Sequence, residues 1–182
     1  MAMSETTLAT ELKAMGLYDT EEAAAAAWAD AFSTYFEDAE AGIAPGPTAG
    51  TISALALPAA KTAMEDILAG PTTEALDGMS EPNQAASKIQ SAISAYWAAL
   101  VPGTAWVVTP PAGPCTLITA PTLLSGLAAT LSGIFVTNTG PPAKTKDQAM
   151  DAIANAIHSA NSGGVATFPP TAGGGLGPLP II

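Results

Sequence analysis

The sequence predicts a mainly α fold: helical hairpins with short β segments, long Pro/Gly-rich loops and an extended C-terminal arm. Three observations carry this. Apolar residues recur three and four apart in alanine-rich stretches, which is the helical period. Glycine and proline together make up 33 of 182 residues and cut the chain into short pieces. A helix–glycine–β pattern also repeats at a spacing of about sixty residues. The length suffices for one domain with a proper core, or for two very small ones. Four or five helices in hairpin-like pairs are expected.

In chain order, Ser4 is placed to cap a helix over 5–15, with Leu8, Leu12 and Met15 on one face and Gly16 ending it. Asp19 or Thr20 caps the next; Asp19 and Glu22 have capping-box spacing. That helix runs over 22–41, since alanine is the best helix former, with Trp28, Phe32, Tyr35 and Phe36 as its apolar stripe. A return helix is expected over 58–68. Ser80 caps a helix to about residue 100, with Pro82 tolerated in its first turn and Ile89, Ile93, Trp97 and Leu100 on one face. Residues 105–109 are β-prone, 122–135 form a second return helix, and 144–160 a last long one with Met150, Ile153 and Ile157 inward. Val165–Ala166–Thr167–Phe168 is β-prone again. The final twenty residues hold ten Gly or Pro, which argues against a helix or a central strand there.

The repeat aligns Ala92–Trp97 with Ala152–Ile157 at an offset of 60, and Gly103 with Gly163. Pro110–Pro111 match Pro169–Pro170 at 59. More loosely, Trp28, Phe32, Tyr35 and Phe36 lie 61 before Ile89, Ile93, Tyr96 and Trp97. The unit reads helix, Gly/Pro loop, helix, twice complete and a third time ending in a tail.

Charge divides the chain into an acidic helical region, 1–81, an uncharged helical/β region, 82–162, and a Gly/Pro-rich arm, 163–182. Residues 1–81 carry 14 acids and two lysines; the remainder carries two acids and three lysines, and there is no arginine. Residues 89–143 have no charged side chain. The missing Lys/Arg clusters exclude nucleic acid and anionic bilayers as partners. A membrane span needs about 20 apolar residues, and the best window, 121–136, has 16 with Thr and Ser inside. The first sixteen residues lack the apolar run of a signal peptide. Burial against other chains accounts for the uncharged run, since Ala/Thr/Pro/Gly surface costs little to desolvate; a Thr/Ser-solvated surface is the plain alternative. Trp106, Val108, Leu117, Ile118, Phe168, Leu176, Leu179, Ile181 and Ile182 are the candidate interface. The apolar end of the arm fits a neighbour's groove; a frayed terminus is the alternative.

No reaction emerges from the polar residues. His158 has Asp151 two turns back but no close orienting partner. Cys115 stands among Pro, Ala and Gly with no base to activate it, and a single Cys and a single His leave no disulfide and no Cys/His metal site. Glu37, Asp38 and Glu40 lack the alternating loop ligands of a calcium site. No cofactor, metal or catalytic residue is assigned, and the chain is expected not to be an enzyme.

The segments AIHSANSGG (156–164), VATF and PPTAGGGLGPLP, together with AYWAALVPGTAWVVTPPAGP, resemble small structural proteins of tailed bacteriophage particles. The resemblance covers about half of the chain and is compositional. It implies a non-enzymatic subunit of a neck, tail, baseplate or capsid-associated layer, forming homo-oligomers and binding other virion proteins, located in the virion and assembled in the host cytoplasm. It carries over no functional residue, and the acidity of 1–81 is not part of it. The alternatives are a secreted Ala-rich helical interaction protein and a small hydrolase acting through His158 or Cys115.

Overall fold

The structure, a computed structural model, describes residues 3–42, 48–71, 81–109, 112–139, 144–169 and 177–182. Its elements are α1 (Glu5–Ala14), α2 (Glu21–Phe36), β1 (Glu40–Gly42), β2 (Thr48–Ile52), α3 (Leu57–Ala69), α4 (Glu81–Ala99), β3 (Trp106–Val108), β4 (Leu117–Thr119), α5 (Leu127–Thr139), α6 (Lys146–Asn161), β5 (Val165–Thr167) and β6 (Pro178–Pro180). A 3-10 turn, Thr122–Gly126, leads into α5. The described residues thus hold six helices, where four or five were expected. The order is helix, helix, strand, strand, three times over.

This corrects the phase of the repeat. The third unit is not truncated: α5, α6, β5 and β6 complete it, and its last strand lies in the expected tail. Consecutive helices pack against each other from α1 to α6, and α6 packs back on α1. The strands follow the same rule. β1, β2 and β3 form one antiparallel sheet, and β4, β5 and β6 the other. The two join where Ala41 bridges Ile181 and Glu40 exchanges backbone hydrogen bonds of 2.9 Å with Ile182. Strand order is therefore β3-β2-β1-β6-β5-β4, with the first and last strands meeting in the middle.

The local signals behind these elements are specific. Ser4 caps α1 through Thr7 N–H. Thr20, not Asp19, caps α2, its hydroxyl accepting from Ala23 N–H. Thr145 and Gln148 make a reciprocal capping box at α6. Ser80 lies outside the described residues. Gly103 and Gly163, aligned by the repeat, have φ of +88° and +91°; each turns the chain from a helix into a strand with a backbone that side chains other than glycine's rarely adopt.

α2 ends at Phe36, short of the expected 41. Alanine propensity favours continuation, but Glu40–Gly42 is held instead in β1 by its ladder with β2 and by the C-terminal residues. Ladder bonds outweigh a propensity of a few tenths of a kcal/mol per residue. Likewise β5 is the middle strand of its sheet, against the expectation that the tail holds no central strand. Pro178 and Pro180 lie in the part of β6 that pairs with β5, while the described junction with β1 is made by Ile181 and Ile182.

One buried cluster runs from Met3 to Ile181 and draws on all three charge-defined regions. The repeat sets its centre. Phe32, Ile93 and Ile153 are buried at equivalent positions of α2, α4 and α6, as are Phe36, Trp97 and Ile157. Phe32 meets Tyr96 edge-on at 4.8 Å, and Phe36 meets Trp97 at 5.1 Å, tying α2 to α4. Trp97 bonds Asn161 across α4 and α6, and Tyr35 bonds His158 across α2 and α6. The α6–α1 closure adds polar ties: Lys146 Nζ donates to the carbonyls of Lys13 and Met15 at the end of α1, and Lys13 pairs with Asp151 at 2.5 Å.

Candidate interaction surface

The polar residues singled out for chemistry are occupied structurally. His158 Nδ1 lies 2.9 Å from Tyr35 Oη, while Asp151 is taken by Lys13. Burial pushes the Cys115 thiol up, and its Sγ is 3.3 Å from the Leu117 carbonyl, so it is held as a thiol rather than a nucleophile. Because α2 ends at Phe36, Glu37, Asp38 and Glu40 lie in a turn and in β1 rather than on a helix face. Among the described residues no three or more His, Cys, Asp or Glu side chains gather where they could hold a metal ion. Among them, too, no helix is long and apolar enough to cross a membrane.

The uncharged stretch 89–143 is partly interior. Ile93, Tyr96, Trp97, Leu100, Ala105, Leu127 and Leu131 are buried in the chain's own core. It nevertheless carries a distinct surface. β3 and β4 are the two ends of the strand order, and among the described residues neither has a ladder partner on its outer side. Val107 on β3 is 60% exposed and Leu117 on β4 is 54% exposed. Val101, Leu123 and Val136 add further large apolar surface within the same stretch. In the first and third units the two strands pair with each other as hairpins; in the second they do not.

The nine candidate interface residues separate accordingly. Leu117 is exposed; Val108, Ile118 and Ile182 are half-buried. Trp106, Phe168, Leu179 and Ile181 are buried inside the same chain, and Leu176 lies outside the described residues. The arm's described residues are 163–169, which hold β5, and 177–182, which dock on their own chain rather than in a neighbour's groove: Ile181 N–H donates to the Gly164 carbonyl at 2.7 Å, and Ile182 pairs with Glu40. The reason is complementarity at home, since β1 and β5 each present a side that β6 and its extension can pair. Val107 and Leu123 were missed. Strand alternation offered a signal for Val107, because with Trp106 inward its neighbour must point outward.

A second feature is an apolar groove of about 490 Å³ between α5 and α6. Leu127, Thr130 and Ile134 form one wall and Ala152, Ala156 and Ala160 the other. No charged side chain lines it.

No family model, curated protein or solved structure matches the chain. The reading of function therefore rests on the residues and their arrangement.

Proposed function

We propose that the protein is a non-enzymatic structural subunit of a bacteriophage virion, in the neck, tail, baseplate or a capsid-associated layer, assembling with copies of itself and with neighbouring virion proteins, in particles built in the host cytoplasm. One observation carries the self-assembly: the two strand edges without a ladder partner among the described residues both fall in a 55-residue stretch without a charged side chain. Soluble proteins guard sheet edges with charge, proline or cover, and β3 and β4 have no charge. Such uncharged edges beside exposed Val107 and Leu117 suit strand addition by a partner. The phage setting is supported by the compositional resemblance of the Ala-rich helices and Pro/Gly segments.

The test has two parts. Light scattering of the purified chain should give a mass several times 18.0 kDa, and Val107→Lys with Leu117→Lys should reduce it towards one chain. An antibody against the chain should label purified particles from the source lysate. A chain that stays monomeric at high concentration and is absent from particles overturns the proposal.

A further inference from the structure

We propose that β3 of one copy pairs antiparallel with β4 of the next, with Val107 opposite Leu117, so that the strand order runs on from chain to chain. The inference rests on the self-assembly reading above and names its contact.

The fold's own pairing rule supplies the partner. Each unit has a first strand (β1, β3, β5) and a second (β2, β4, β6). The described junctions β3-β2, β2-β1, β1-β6, β6-β5 and β5-β4 each join a first strand to a second, and all are antiparallel. The remaining junction that three units allow, β3 with β4, is not made among the described residues. β3 thus lacks a second strand and β4 a first. A copy placed β4 to β3 meets both needs and keeps the alternation of strand direction; β3 against β3, or β4 against β4, meets neither.

The repeat sets the register. In the third unit Ala166 pairs with Leu179, and both are buried. Trp106 is the counterpart of Ala166 at the offset that aligns Gly103 with Gly163, and it is buried too. Ile118 pairs with Ala166 in the β4–β5 ladder and packs against the core, so it is the inward residue of β4. Setting Trp106 opposite Ile118 keeps both on the inner face and puts Val107 opposite Leu117 outside. These are the exposed large apolar side chains of the two edges.

The chain's own β4 is held away from this register. The N–H and the hydroxyl of Thr116 both donate to the Thr167 carbonyl, at 2.8 and 3.1 Å. A Cβ on Gly113 would lie 2.7 Å from Pro169 Cγ, and one on Gly103 would lie 3.8 Å from the Cys115 carbonyl. In the third unit the register runs on to Gly164, whose carbonyl takes the Ile181 N–H. Its counterparts are Thr104 and Ala120, yet Gly103 adjoins Cys115, which comes well before Ala120 in the chain. The connector therefore anchors β4 to the third unit, and a β4 from another copy fits β3 instead.

Neither strand carries a charged side chain, so chains of net −11 can meet there without like charges directly opposite each other. The two edges are different surfaces, so the contact is heterologous and propagates into a ring or a filament.

Two sets of full-length chains test this. Val107→Lys in one chain and Leu117→Glu in another should each lower the light-scattering mass towards one chain. Mixed in equal amounts they should recover about twofold or more in mass, since Lys then faces Glu across the junction. If either loses helical circular dichroism, cysteine variants decide alone. Cys115 is buried and does not compete. Val107→Cys and Leu117→Cys chains, mixed and oxidised in air, should give about tenfold more mixed dimer than either homodimer, as a heterologous contact requires. One chain carrying both cysteines should give a ladder of linked multimers. Homodimers as the main product, a doubly substituted chain that links only to itself, or folded charge variants that do not complement each other overturn the proposal. Assembly without the Val107–Leu117 link removes this contact and leaves the subunit reading standing. So does a chain that is monomeric alone but present in particles, where another protein covers the edge. A monomer absent from particles removes both.

Discussion

Trp97 in α4 donates its indole N–H to Oδ1 of Asn161 in α6 at 2.7 Å, with both side chains buried. Asn161 in turn donates to the Ile157 carbonyl at 2.8 Å. A buried polar group is tolerated only when its partners are present. Asn161→Ala should therefore cost about 1–3 kcal/mol, because it leaves the indole N–H unpaired in the core. The urea midpoint should fall with little change in slope, and the fluorescence of the core tryptophan should shift. A variant as stable as the parent would show that this bond does not hold α4 to α6.

The same indole fixes a glycine. A Cβ on Gly164 would lie 2.4 Å from Cη2 of Trp97, at the rigid ring of a buried side chain. Gly164→Ala should destabilise by about 1–3 kcal/mol through overpacking. Gly16 has nothing within 4 Å of the same construction, so Gly16→Ala is the matched control and should stay near neutral.

The C-terminal residues belong to the fold. Ile181 is fully buried and its N–H is bonded, and Ile182 closes the junction with β1. Ile181→Ala should cost about 2–5 kcal/mol. Removal of 181–182 should cost more, and both should show in thermal unfolding of the monomeric edge variant. If truncation abolished assembly without lowering the melting temperature, the arm would act between chains rather than within one.

Alkaline pH should unfold the protein from inside. Burial raises the Tyr35 and Tyr96 hydroxyls above the ordinary tyrosine value of 10.0, with the Glu5 charge adding at Tyr35 and the Glu37 charge at Tyr96. Above that pH the unfolded chain has lost these protons while the folded chain keeps them. The folded state binds more protons, so stability falls as pH rises, by up to about 1.4 kcal/mol per pH unit for each tyrosine. Below pH 10 neither group contributes to a pH dependence. Absorbance at 295 nm followed with circular dichroism should show two tyrosines ionising only as helicity is lost. The double change Tyr35→Phe and Tyr96→Phe should flatten the alkaline limb.

Trp106 offers a contrasting test. Its Nε1 is buried and has no hydrogen-bond partner among the described residues. Trp106→Phe removes the unsatisfied donor but keeps an aromatic ring. Its cost should stay below that of Asn161→Ala, and denaturant unfolding of the two variants side by side decides this.

The sequence by itself determined the helical class, the helix positions and the inward residues. Period and caps are local, and Leu8, Ile93, Trp97, Ile153 and Ile157 are buried as their spacing requires. It also exposed the sixty-residue repeat and the Gly103–Gly163 match, because the positive φ at each turn from helix to strand favours glycine. Tertiary structure alone decided the phase of that repeat, the end of α2 and the fate of the arm. Strands of three to five residues such as β1, β4 and β6 carry too little alternation to be read locally; they exist because partners far along the chain satisfy their backbone groups. The same long-range pairing sends Trp106, Phe168, Leu179 and Ile181 into the interior and leaves Val107 and Leu117 outside. An apolar side chain reports that it will be buried, but only the closed arrangement of three units decides whether its own chain or another one does so.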